Sequence, residues 1–321
     1  MLLRPGVTCG EALKILDSIT ERGLNTVQNA VPHLNPSHGT QGIGVETAHL
    51  DPAVPRLQAA VREYDDWTAI AGAKLAGLST DRSLASRLRG ERYSHIVRTV
   101  VDINTVRHVA ALLNTELQEL RVFFMDLANE IRETQERYKG HQGRTLVLDT
   151  NDLLQYMRFD KIPWARLFGP GTVVVIPHVV VDEIDRKSHA QSETVKRRAR
   201  GVFGLLEEVL TDLQAAGAYH LGDGTAIEVM VDPPGHVRQL NNDDEIVARA
   251  CHLQQAVAPT KVTVITGDNG MRARAMAWSL PAARLDEKYK IKPITAEEHA
   301  QNLAAITGPP QSGDSPTPSG N

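Results

Sequence analysis

Aromatic residues are scarce. Phe, Trp and Tyr make up 4% of the 321 residues, so Leu, Val, Ile and Ala must fill most of any core. Cysteine is nearly missing. Cys9 and Cys251 form no CxxC pair and no metal-ligand spacing, which excludes a disulfide framework and fits a reducing compartment. No uninterrupted apolar run approaches the roughly 20 residues that a membrane span needs. The opening MLLRPGVTCGEALK lacks the apolar centre of a signal peptide. These absences make a cytoplasmic protein with no membrane contact the expectation. An excess of positive charge is lacking too. The net charge is −4, which argues against a simple basic coat on nucleic acid.

The length suggests two domains, and the texture changes near residue 140. Residues 1–140 read as a helical bundle. Thr8 followed by Glu11 is a capping-box pattern, and Leu13, Leu16, Ile19 and Leu24 recur near helical spacing. A Pro/Gly-rich loop is expected at 31–55, then helices at 53–76, 79–95 and 96–138. The last carries a broad apolar stripe from Val101 to Ile131. Charges such as Glu116, Glu119, Arg121, Glu130 and Arg132 intersperse it. His33, His38, His49, His95 and His108 show no metal spacing. This part holds 16 basic and 17 acidic residues, a net of −1. That points to a protein-facing role, either self-association or partner docking.

Gly140 and Gly143 mark the boundary. Beyond it, strands are expected at 145–149, 172–176, 226–231, 261–266 and 283–285. Helices are expected at 152–168, 178–188, 193–214, 243–257 and 269–278. Alternation of this kind means a mostly parallel sheet covered on both faces, with ligands beyond the carboxyl ends of its strands. The assignment is an α/β domain over 141–305, preceded by the helical domain 1–140. A Pro/Ser/Gly-rich tail, 306–321, reads as disordered.

Acids stand at those strand ends. Asp149 closes TLVLDTNDLL. It could cap the next helix, although Asp152 is better placed for that. Glu183 lies in VVVDEIDRK, where an acid suits a first helical turn. Asp243 and Asp244 open NNDDEIVARA, and Asp268 ends KVTVITGD. Each has an ordinary reading as a helix-terminal acid. Together they fall on one edge of the inferred sheet. Carboxylates gathered there raise one another's pKa, and an all-oxygen set selects a hard cation, Mg²⁺ or Mn²⁺. Such ions support phosphodiester hydrolysis. Residues 186–200 carry six cations against the one acid Glu193, either a solvated face or a phosphate-binding strip.

These motifs resemble those of the PIN-domain nucleases. LVLDTN, VVDEID, NDDEI and TGD occur in order, their acids 34, 60 and 25 residues apart. The resemblance spans about 145–290 and does not reach residues 1–140. It implies a PIN-like central sheet flanked by helices. It implies Asp149, Glu183, Asp243 and Asp268 as catalytic metal ligands, with Asp244 assisting and Asn151 and Thr266 steadying them. Arg186, Lys187, Lys196, Arg200 and Arg272 would hold substrate. The implied activity is a Mg²⁺- or Mn²⁺-dependent endoribonuclease acting on RNA, with DNA not excluded. The competing reading is a catalytically silent PIN-like module that docks RNA or protein. Phosphoryl chemistry on small molecules would need a Gly-rich loop after the first strand, and LVLDTNDLL has no glycine.

Overall fold

The computed structural model describes residues 3–32, 52–216 and 218–291. Most of the expected 31–55 loop, with His33, His38 and His49, and the whole 306–321 tail lie outside those residues.

The helical part begins with α1 (Cys9–Ile19). Thr8 and Glu11 close a reciprocal capping box at its start. A π turn, Thr20–Leu24, joins it to α2 (Asn25–Ala30). There the Trp67 indole N–H donates to the Ile19 carbonyl at 3.1 Å, and Gly23 leaves room for the indole ring. Next come α3 (Ala53–Leu78), the short α4 (Ser83–Ser86), α5 (Glu91–Arg98) and α6 (Val106–Arg137).

Two expected helices are shorter than the apolar pattern implied. The 79–95 segment breaks at Gly90, where the backbone is extended. The 96–138 segment starts only at Val106, because the Asp102 carboxylate turns the chain by accepting from the Asn104 and Thr105 amides. The stripe itself is buried: Val109, Leu113, Leu117, Leu120, Phe124 and Ile131 form the centre of this part. Glu116 is buried as well, held by Arg92 at 3.0 Å and Tyr64 at 3.4 Å.

The α/β part has a six-stranded sheet: β1 (Thr145–Leu148), β2 (Val173–Pro177), β3 (Tyr219–His220), β4 (Ala226–Met230), β5 (Val262–Ile265) and β6 (Ala282–Ala283). The order is β3-β4-β2-β1-β5-β6, and only β3 runs antiparallel. β1, β2 and β5 are buried along their whole length, as continuous apolar runs in a two-sided parallel sheet require. Each buried Val or Leu there stabilises the fold by about 1.5–3 kcal/mol. The chain moves from β1 towards β2 and β4, then crosses to β5 on the other side. The crevice at the carboxyl end of β1 is therefore a topological switch point.

The connecting helices are α7 (Thr150–Gln155), α8 (Trp164–Phe168), α9 (His178–Ser188), α10 (Glu193–Ala216), α11 (Asn242–Val257) and α12 (Asn269–Ala277). The expected helix at 152–168 is two short ones. Pro163 and the single turn Phe159–Lys161 separate them, since Pro disfavours a helical residue before it.

Both parts share one buried apolar cluster. The Gln255 amide on α11 donates to the Leu3 and Arg4 carbonyls at 2.9 and 3.1 Å, so α11 supports both. The division at residue 141 into a partner-facing bundle and an α/β unit stands as a proposal. At the junction, Gly143 lies against the backbone of the turn before β2, and a Cβ there would overlap the Gly171 carbonyl. Gly143→Ala is expected to destabilise the protein by about 1–3 kcal/mol, the usual cost of overpacking. A denaturation midpoint equal to the parent's would show that the turn yields freely.

Candidate active site at the carboxyl edge of the sheet

Asp149 follows β1 directly and is 2% exposed. Its two oxygens are fixed separately. Oδ1 accepts the Asn151 amide at 3.3 Å, capping α7, and Oδ2 accepts the Thr266 hydroxyl at 3.0 Å. Asp152, expected to be the cap, is not. It lies inside the first turn of α7, buried, and its Oδ2 accepts the Gly267 amide at 3.0 Å. Its Oδ1 is buried without a hydrogen-bond partner.

Glu183 projects from α9. The Thr150 hydroxyl donates to its Oε2 at 2.8 Å, and Lys187 pairs with its Oε1 at 3.2 Å. Asp243 and Asp244 open α11, capped by Asn241. Arg274 on α12 pairs with both, at 3.5 Å to Asp243 and 2.8 Å to Asp244. Asp268 caps α12, and its own amide donates to the Thr266 hydroxyl at 3.0 Å. Thr266 thus ties the end of β5 to the end of β1.

The electrostatics follow from burial and crowding. Burial pushes the Asp149 carboxyl up to about 6, against the Thr266 and Asn151 hydrogen bonds and with help from Asp243 and Glu183. Burial and then Asp149 push Asp152 up to about 7. Asp243 is raised by burial despite Arg274, with Asp268, Glu183 and Asp244 adding to the rise. Glu183 moves the other way. Burial raises it, but the Thr150 and Lys187 contacts outweigh that and lower it.

The four carboxylates influence one another without closing into a tight knot. Among the described residues, the His/Cys/Asp/Glu group with three donor atoms within 4.8 Å of one another is elsewhere, at Asp232, His236 and Glu245. Like charges keep apart. The residues nonetheless fit a hard divalent ion. The donors are all oxygens, they lie on one edge, and a buried carboxylate oxygen of Asp152 lacks a partner.

Two adjoining hollows lead to this edge. One, of about 310 Å³, is lined by Asn151, Asp152, Gly267, Asp268, Arg284 and Lys290 among others. The other, of about 860 Å³, includes Asn151, Leu154, Lys187, Val195, Arg198 and Lys290. Of the five cations expected to hold substrate, Lys187 lines this groove. Lys196 is turned to Glu193 at 3.1 Å, and Arg200 donates to the Ser188 carbonyl at 3.3 Å. Arg198, not Lys196 or Arg200, reaches the groove. Arg186 is exposed on α9, and Arg272 is half-buried on α12. Arg274 rather than Arg272 meets the acids, because two helical positions differ by about 200° around the axis. Sequence reasoning did not single out Arg274, Arg284, Lys290 or Thr150, and held Arg198 only as one of the cations of the segment 186–200. Only NGMRARA, with two arginines after Asp268, offered a signal.

Residues 146–286 match the family model of the PIN domain. The α/β part of the chain is PIN-like in its mostly parallel sheet and flanking helices. PIN domains are generally nucleases with acidic metal-binding residues, and they act on nucleic acids. A comparison with curated proteins gave no match. Among the described residues, no helix is long and apolar enough to cross a membrane.

Raised carboxyl pKa values mean that the folded chain holds these protons more tightly than the unfolded one. The resulting destabilisation is fully present above the folded values of about 6 and 7. It is relieved as pH falls through them. With a chelator present, the melting temperature should rise between about pH 8 and about pH 5.5. Asp149→Asn should gain about 1–2 kcal/mol at the upper end, less than the full shift implies, because the new amide faces the Asn151 N–H. A flat profile in both proteins would mean that the cluster carries no strain.

Proposed function

We propose that the α/β domain is a metal-dependent endoribonuclease that hydrolyses RNA phosphodiester bonds. The observation that supports this most is the gathering of Asp149, Glu183, Asp243 and Asp268 around the end of β1, in a segment that matches the PIN family. In this reading Asp149, Glu183, Asp243 and Asp268, with Asp244, hold Mg²⁺ or Mn²⁺. The ion supplies an activated water and charge neutralisation for the hydrolysis.

The chain's own residues do the rest. Thr266 and the Asn151 amide hold Asp149 by separate oxygens, and Thr150 sets Glu183. Such contacts fix ligand orientation. Arg274 keeps Asp243 and Asp244 together at the head of α11. Lys187, Arg198 and Lys290 line the groove beside the acids and would take successive phosphates. Leu154, Val195 and Ile291 offer apolar surface between them for bases. The setting is cytoplasmic, and the helical part serves a protein partner or self-association.

One observation favours a second reading, a silent module that docks RNA or protein. The Arg274 guanidinium already neutralises two of the acids and competes with a cation there. The two readings separate in a cleavage assay. Cleavage of a model RNA is expected with Mg²⁺ or Mn²⁺, to stop with EDTA, and to be poorly restored by Ca²⁺, which takes more ligands at longer distance. Asp149→Asn and Asp268→Asn should each lower the rate at least about a hundredfold, beyond the loss usual for an outer contact. Undiminished cleavage in EDTA, or by both variants, would refute the metal assignment; RNA binding without cleavage would select the docking module.

The groove has its own test. Lys187→Glu with Arg198→Glu should weaken RNA binding and reduce the slope of log affinity against log salt by about 1–2. The pair Lys196→Glu with Arg200→Glu should change the slope less. The reverse order would move the RNA path onto the outer face of α10.

A further inference from the structure

We propose a second, chemically different metal site at Asp232, His236 and Glu245, one that takes Zn²⁺ and staples the loop after β4 to the head of α11. The three side chains each offer a donor atom, and these atoms lie within 4.8 Å of one another. The inference stands whether or not the acidic edge is a nuclease site.

The chain brings the three together by identifiable means. Asp232 stands two residues beyond β4. Pro233, Pro234, Gly235 and His236 then form a tight turn, closed by the His236 amide on the Pro233 carbonyl at 3.0 Å. Gly235 takes the positive φ of +79° that such a turn requires. The turn folds His236 back towards Asp232. Glu245 lies in the first turn of α11, 1% exposed. Its Oε1 meets His236 Nε2 at 2.8 Å, and its Oε2 accepts the Gln239 amide at 2.8 Å. A buried carboxylate on the apolar side of a helix is costly unless paired, so its retention calls for a counterweight.

The donor set decides the metal. One imidazole nitrogen with two carboxylates suits Zn²⁺ and its neighbours, whereas all-oxygen sets suit Mg²⁺. Zinc–ligand bonds of about 2.0–2.1 Å place tetrahedral donors about 3.4 Å apart. The His236–Glu245 pair need open only slightly, and Asp232, within 4.8 Å of both, need close by at most about 1.4 Å. The His178 Nδ1 atom is buried without a hydrogen-bond partner, 3.4 Å from the Asp232 carboxylate. It offers a further nitrogen beside the site, with water as the other candidate for the fourth position.

The surroundings hold Asp232 in place. Arg238 Nε donates to Asp232 Oδ2 at 2.7 Å and its Nη1 to Asp182 at 2.6 Å, while Arg249 Nε lies 3.6 Å from Asp232 Oδ1. Asp182 and Asp232 meet the two guanidinium groups, whereas Glu245 meets His236 and the Gln239 amide, which leaves one carboxylate's charge for a cation. The guanidinium contacts are of the kind that orients a ligating carboxylate. His236 is 23% exposed at its side chain, so an ion has a path in. Asp243 and Asp244 precede Glu245 directly, so a metal here would also fix where those two acids project.

The test uses the full-length protein, stripped of metal and titrated calorimetrically with Zn²⁺ in excess Mg²⁺. Co²⁺ absorption spectra serve as a second readout. The expected result is one Zn²⁺ per chain, a higher melting temperature with Zn²⁺, and a visible Co²⁺ band. Glu245→Gln and His236→Ala should each weaken Zn²⁺ binding at least about tenfold, while Asp149→Asn leaves it unchanged. Glu245→Gln keeps an acceptor for the Gln239 amide and turns an N–H donor to the neutral His236 ring, so a mere hydrogen-bonded clamp would survive it. Should that variant fail to fold by circular dichroism, the partly exposed His236→Ala decides alone. Less than one equivalent of Zn²⁺, or equal affinity in parent and His236→Ala, would overturn the proposal.

Discussion

Two buried carboxylates three residues apart, Asp149 and Asp152, set the central constraint on this molecule. Both are buried where β1 gives way to α7, at the carboxyl end of the sheet. Among the described residues, neither has an arginine or lysine as its direct partner. Their charge is met instead by neutral donors: the Thr266 hydroxyl and the amides of Asn151 and Gly267. The Thr266 hydroxyl and the Gly267 amide follow β5 directly, and the Asn151 amide lies in the first turn of α7. The β1–β5 register, which pairs Leu148 with Ile265, is what brings Thr266 level with Asp149. A slip of one residue would reverse which face each side chain takes and remove that bond.

The other acids are managed by formal charge. Lys187 answers Glu183, and Arg274 answers Asp243 and Asp244. The edge therefore divides into an inner pair held by dipoles and an outer set held by exposable cations. The outer cations are on helices, where side chains can swing. The inner donors cannot. That division would suit the divalent-ion site proposed above, since its centre need not reorganise on binding.

α11 carries more of the architecture than its length suggests. Its head bears Asp243 and Asp244, its first turn buries Glu245 against the loop after β4, and its far end hydrogen-bonds the N-terminal segment through Gln255. The helical part and the acidic edge thus meet in one helix.

Much of this was legible in the linear chain. The alternation of strands and helices after Gly143, the acids that close β1 and head α11 and α12, and the capping box at Thr8 follow from local rules, because period, propensity and caps involve residues within a few positions of one another. Local reasoning also erred in understandable ways. It gave Asp152 the cap that Asp149 takes, ran one helix through Pro163, and began the long helix ten residues too early. The first of these depends on what lies across the fold. Whether Asp152 caps or turns inward depends on Gly267, 115 residues on. Which face of α10 meets the groove depends on how it lies against α7. The gathering of Asp232, His236 and Glu245 rests on a Pro-Gly turn and the docking of α11, and no spacing of three such residues implies that on its own. The sequence determined the elements and the acids at their ends, since those obey short-range physics. The tertiary structure decided which charges meet, because an ion pair or a ligand set is fixed by distance in space, and packing alone sets that.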